Sequence, residues 1–142
     1  MKSARRRSRE LAVQGLYQWL VTQGDVAAVD AFVRETPDFH KADEAYYKVL
    51  FKGVVASNDA LREAITPFID RPIAELSPVE HGVLLVAAYE LQNELAVPYK
   101  VVINEAVEIT KSFGGTDGFK YVNGVLDKLA AVTRAVEIQA AT

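Results

Sequence analysis

The segment Ser77-Pro78-Val79-Glu80, with the run from Val83 to Leu91 behind it, constrains this chain more than any other stretch. Serine suits a helix N-cap and proline the first helical position. A glutamate three residues after the serine can bond back to its amide. The run that follows is almost wholly apolar, and a helix apolar on nearly every side must be covered on nearly every side. In a chain of 142 residues, it is expected to form the buried centre, with the remaining elements packed around it.

Those remaining elements also read as helices. From Ser3 to about Gln23, Leu11, Leu16, Trp19 and Leu20 recur at helical spacing, with Gly24 as a stop. Asp25 can cap a short helix through Val33, ended by Pro37. The stretch from about Lys41 to Ile65 carries Tyr46, Val49, Leu50, Val54, Leu61, Ala64 and Ile65, which fits one or two helices with a break at Ser57-Asn58. Pro67 and Pro72 bound a connector. Pro98 opens a helix through Phe113 that Gly114-Gly115 stops. Thr116 or Asp117 then caps a last helix with Phe119, Val122, Leu126 and Leu129 inward. Gly124 costs that helix about 1 kcal/mol against alanine, and close helix packing is the expected reason. No stretch alternates with period two. The predicted fold is all-α: a bundle of about six to seven helices in one domain spanning residues 1–142.

Composition removes several functional classes. There is no cysteine, so a disulfide scaffold, a thiolate zinc site and a cysteine nucleophile are excluded. No apolar run is long enough to cross a bilayer, and no apolar segment follows the N-terminal charges as it would in a secretory signal. A cytoplasmic protein is the expectation. Asp38, His40, Asp43 and Glu44 cluster without a second histidine, so no metal is expected. His81 beside Glu80 reads as a helix-surface pair. No activated serine, nucleotide loop or carboxylate pair stands out. Neither catalysis nor a cofactor is expected.

The charge pattern is more informative. The net charge is −3, yet residues 2–9 hold Lys2, Arg5, Arg6, Arg7 and Arg9 with no acidic residue among positions 2–9. The rest of the chain sets 11 basic against 19 acidic residues. A single-sign arm on an acidic body suits a polyanion, and arginine forks match phosphate oxygens. Like charges one turn apart, at the positive end of a helix dipole, predict an arm that is frayed until an anion orders it. A merely solubilising tail would look the same. Tyr17, beyond the arm, and Lys120-Tyr121 offer rings for stacking on unpaired bases, although a core-edge tyrosine is the simpler reading of Tyr17. Phe113 to Gly118 is glycine-rich and precedes a helix, but reads as a helix-to-helix turn, with Asp117 unsuited to phosphate. Helix-turn-helix binding to DNA is disfavoured because the internal helices are acidic or apolar.

Three stretches together resemble the NusB family of transcription antitermination factors. They are Ala4-Arg5-Arg6-Arg7-Ser8-Arg9-Glu10-Leu11-Ala12 with Gln14 to Tyr17; Ser77 to Glu80 with Tyr89-Glu90-Leu91; and Val97-Pro98-Tyr99-Lys100-Val101-Val102-Ile103-Asn104-Glu105-Ala106. The last continues through Phe113-Gly114-Gly115-Thr116-Asp117 to Val122-Asn123-Gly124-Val125-Leu126-Asp127-Lys128-Leu129. The likeness runs from about Ala4 to Leu129 and is loose over residues 24–60.

The resemblance implies two helical subdomains packed together. It also implies binding to single-stranded boxA RNA and a heterodimer with NusE, the ribosomal small-subunit protein. Through that pair it implies an indirect link to RNA polymerase and other Nus factors during ribosomal RNA synthesis. By motif position it assigns RNA contacts to Lys2, Arg5, Arg6, Arg7, Arg9, Tyr17, Asp117, Lys120 and Tyr121, and partner contacts to Glu75 and Glu80. Tyr121 stands where phenylalanine is common, Phe119 where histidine is usual, and His81 where a basic or small residue is common. Apolar surface meant for the partner could support a weak homodimer. Two other readings compete: an RNA-recognition module like that of RNA cytosine methyltransferases, and a protein-interaction scaffold.

Overall fold

A computed structural model describes residues 2–113 and 117–141. Among them are eight α-helices and no strands. They are α1 (Ala4–Thr22), α2 (Val26–Arg34), α3 (Glu44–Ala56), α4 (Asn58–Ile65), α5 (Pro78–Asn93), α6 (Tyr99–Ser112), α7 (Gly118–Thr133) and α8 (Ala135–Ala141). The count exceeds the expected six to seven because the chain does break at Ser57 and because α8 follows α7 after Arg134. The stop at Gly114-Gly115 and the cap at Thr116 lie outside the described residues.

Short polar side chains cap the starts of α1, α2, α3 and α5. Ser3 Oγ accepts from the Arg6 amide at 3.0 Å, Asp25 from Ala28 at 3.1 Å, Asp43 from Tyr46 at 3.1 Å and Ser77 from Glu80 at 3.1 Å. Each satisfies an amide that the first turn leaves open. Two boundaries differ from the sequence reading. The left-handed residue that ends α1 is Gln23 (φ 53°), one position before Gly24. Helix α3 begins at Glu44, because Phe39–Lys41 forms a separate 3₁₀ turn ahead of the Asp43 cap.

Helix α5 is the centre, as its composition requires. It packs against α1, α3, α4, α6 and α7, and Val83 through Ala88 and Leu91 are buried. One group around it is α1 with α2 and α3; the other is α6 with α7, which packs against α8. The last group is tied in by Arg134. Its buried guanidinium donates to the carbonyls of Leu91 (2.7 Å), Val97 (3.0 Å), Glu90 (3.2 Å) and Glu94 (3.1 Å), which covers the C-terminal end of α5. A cation there also complements the helix dipole.

Three packing expectations are corrected. An added Cβ on Gly124 would meet nothing within 4 Å, so close packing is not why glycine stands there. Phe119 is half-exposed rather than inward, with Lys111 Nζ 4.8 Å and Lys120 Nζ 6.0 Å from its ring centroid. His81 is buried, not a surface partner of Glu80. It accepts from Arg62 Nε at 3.3 Å. Among the described residues no cluster suits a metal ion and no helix is long and apolar enough to cross a membrane.

Candidate nucleic-acid interface

The arginine arm does not fray; it is built into the fold. Arg9 is only 4% exposed. Its Nε and Nη2 donate to Glu90 at 2.9 and 3.0 Å, and its Nη1 donates to Glu105 at 3.1 Å. Arg6, one turn earlier, clamps the same Glu105 with Nε 3.1 Å from both carboxylate oxygens. The Tyr46 hydroxyl donates to Glu90 as well. Burial alone would raise the Glu105 carboxyl, but Arg6 and Arg9 prevail and hold it below its ordinary range. Burial, and then the bond to Glu90, push the Tyr46 hydroxyl up. Two of the five cations are therefore neutralised by carboxylates from α5 and α6. The like-charge repulsion expected within α1 is removed by tertiary partners that lie 81 and 96 residues further on.

The other three cations stay at the surface. Lys2 lies 3.0 Å from Glu10 and remains half-exposed. Arg5 sits with its Cζ 4.1 Å over the Tyr46 ring and its Nε 4.0 Å from Asp43 Oδ2. Arg7 pairs with no carboxylate among the described residues. Exposed pairs such as these are easily exchanged, since each contributes about 1 kcal/mol or less. Lys2, Arg5 and Arg7 can therefore turn to phosphate. Arg9 cannot without giving up a buried pair.

Tyr17 is 43% exposed on α1. It lines a groove of about 610 Å³ with Gln14, Gln18, Val21, Val79 and Phe113. Phe113 is also exposed. Glu80, next to Val79, does not turn back to its own cap serine. Its carboxylate Oε2 is 2.9 Å from where a Cβ on Gly118, the first residue of α7, would stand, so the Glu80 side chain reaches the start of α7. One turn along α7, the Tyr121 hydroxyl accepts from the Asp70 amide at 3.3 Å, and Arg71 Cζ lies 4.5 Å over its ring. Asp117 is exposed and pairs loosely with Lys120 Nζ at 3.6 Å, both side chains standing in water.

Residues from four parts of the sequence thus come together: Tyr17 beside Val79 and Phe113, and Glu80 beside Gly118. Glu80, assigned to the partner surface by resemblance, sits against the glycine that opens α7. Glu75 is exposed on the 3₁₀ turn Ile73–Glu75. Phe113, Asp70 and Arg71 belong to this neighbourhood without having been singled out from sequence. Arg71 is an isolated base between two prolines, and only the fold brings it to Tyr121.

The sequence matches the NusB family over residues 6–131. It is 59% identical to the transcription antitermination protein NusB of Ralstonia pickettii over 139 residues, which covers 98% of this chain and 90% of that protein. It is 58% identical to that of Bordetella pertussis over 144 residues, covering 99% and 94%. The T. maritima NusB structure superposes with a TM-score of 0.80 at 28% identity, covering 93% of this chain and 94% of that one.

Proposed function

The chain belongs to the NusB family of transcription antitermination proteins, and we propose that it acts as an RNA-binding adapter. It holds single-stranded boxA RNA, pairs with NusE and, through RNA polymerase and other Nus factors, sustains ribosomal RNA synthesis in the cytoplasm. It works by binding alone, as one domain with no cofactor.

The observation that carries this reading is that helix α1 links two unlike surfaces. The groove of Tyr17, Val79 and Phe113 offers exposed rings, and exposed Lys2 just ahead of α1, exposed Arg5 and half-buried Arg7 on α1 offer cations. Unpaired RNA needs both: phosphates are held by charge, and splayed bases by ring faces and polar edges. Asp117 is ill placed for phosphate but can accept from a base amino group. With about three phosphates engaged, the logarithmic salt slope on a single strand is near −2. Affinity from this chain alone is then modest, which suits a protein that binds RNA together with a partner.

The test is fluorescence anisotropy of labelled boxA RNA against a scrambled RNA of equal composition, with and without NusE, at two salt concentrations. Tighter and partner-enhanced binding to boxA is the expected result. Equal, salt-labile binding to both RNAs would reduce the arm to a general tether and leave the scaffold reading in place.

A further inference from the structure

We propose that Arg71 is itself a base-contacting residue, presented as a planar cation on top of Tyr121, and that Tyr121 is its positioning platform. The inference rests on the RNA-binding reading above and adds to it a residue and a type of contact.

The arrangement is a closed loop of contacts. Asp70 receives Arg71 Nε at 2.6 Å and Nη2 at 3.2 Å, which fixes the guanidinium from one edge. The Asp70 amide donates to the Tyr121 hydroxyl at 3.3 Å, which fixes the loop to the ring. The guanidinium carbon then lies 4.5 Å over the ring centroid. Tyr121 packs against the core. With Arg71 over it, an incoming base meets the guanidinium before the ring. The fold gains little from this loop, because Arg71 and Asp70 are sequence neighbours with side chains 39% and 65% exposed, and exposed pairs contribute little. Stacking on a flat guanidinium is, by contrast, an established way to hold an unpaired base.

Charge decides what the stack receives. Asp70 already neutralises Arg71, and Glu80 lies close enough to act on it as well. That pair of carboxylates makes the spot unfavourable for a phosphate. A neutral base is not repelled. It can lie on the guanidinium face while Nη1, which has no partner among the described residues, donates to a carbonyl or ring nitrogen of a base. A lysine would supply the same charge but neither the plane nor the fork.

The experiment measures the anisotropy of labelled single-stranded boxA RNA, and of a series in which one position at a time is abasic, with NusE present. Wild type, Arg71→Ala, Arg71→Lys and Tyr121→Phe are compared at several salt concentrations. Arg71→Ala is expected to weaken binding by at least about fivefold, the low end for a lost stacking contact, with the salt slope unchanged. Arg71→Lys is expected to give no rescue, and Tyr121→Phe, which loses the bond from the Asp70 amide, to fall between wild type and Arg71→Ala. At one abasic position the wild type and Arg71→Ala should become equal. Full rescue by lysine, or a slope reduced by about 0.7, would make Arg71 a phosphate contact and overturn the inference. Unchanged binding by Arg71→Ala while wild type still prefers boxA would overturn it and leave the RNA-binding reading intact. Wild type that binds no boxA RNA would end both.

Discussion

Arg9 on α1 grips Glu90 on α5 with two parallel bonds, Nε to Oε1 at 2.9 Å and Nη2 to Oε2 at 3.0 Å, inside the core. The charge that looks on paper like part of a nucleic-acid arm is here a strut between the first helix and the central one. Such a pair is weak evidence of net stability against an apolar replacement. Breaking it, however, leaves a buried charge uncompensated, at about 3–5 kcal/mol. Arg9→Ala and Glu90→Ala are each expected to lose that amount in urea unfolding, and the double variant much less than their sum. Singles within about 1 kcal/mol of wild type would show that the pair is not buried in solution.

The same division predicts opposite behaviour for two arginines two positions apart. Arg7→Ala is expected to leave stability within about 0.5 kcal/mol and to reduce the RNA salt slope by about 0.7. Arg9→Ala should leave the slope alone in whatever fraction remains folded. It follows that deleting residues 1–9 is no clean test of RNA binding, since it also removes Arg6 and Arg9 from Glu105 and Glu90. Salt titrations of the two point variants, with unfolding curves alongside, check this.

How much of this was legible in the sequence follows from the range of each interaction. Caps at Asp25 and Ser77 and the buried α5 were legible because a helix start and an apolar face are local patterns. The fate of Arg9 was not, since it depends on carboxylates 81 and 96 positions away that only the packing of α5 and α6 brings near. Local reasoning saw repulsion and a frayed arm; the fold supplies the counter-charges. Tyr17 could be read as a stacking ring from type and position. Its groove, closed by Val79 and Phe113, and the Arg71 cover on Tyr121 are tertiary and left no sequence signal.

Two glycines should respond oppositely to alanine. At Gly53 an added Cβ would lie 2.4 Å from Tyr89 ring carbons on α5, closer than packing permits. Gly53→Ala is expected to cost about 1–3 kcal/mol through overpacking. At Gly124 nothing lies within 4 Å, so alanine should stabilise by roughly 0.5–1 kcal/mol from helix propensity. Thermal unfolding of both variants measures the pair, and a destabilised Gly124→Ala would contradict the open surroundings described.

His81 makes stability depend on pH within a definite window. Burial, and then the nearby Arg62 charge, lower its pKa from 6.5 to about 4, and its ring accepts from Arg62, which requires the neutral form. The unfolded chain takes up the proton near pH 6.5 and the folded chain does not. The stabilisation is therefore complete above pH 6.5 and is lost as pH falls towards 4. Between pH 6.5 and 4.5 the loss should be on the order of 2 kcal/mol. His81→Gln should flatten that part of the curve, and unfolding free energies at half-unit intervals would show it.

The central claim is the location of the RNA-binding face, and amide NMR of the chain titrated with single-stranded boxA RNA tests it most directly. The account predicts shifts at Arg5, Arg7, Tyr17, Phe113, Lys120 and Tyr121, with none at the exposed apolar residues Leu95, Val132 and Val136 around α8. Shifts centred on Leu95, Val132 and Val136, with Tyr17 and Tyr121 unmoved, would contradict it.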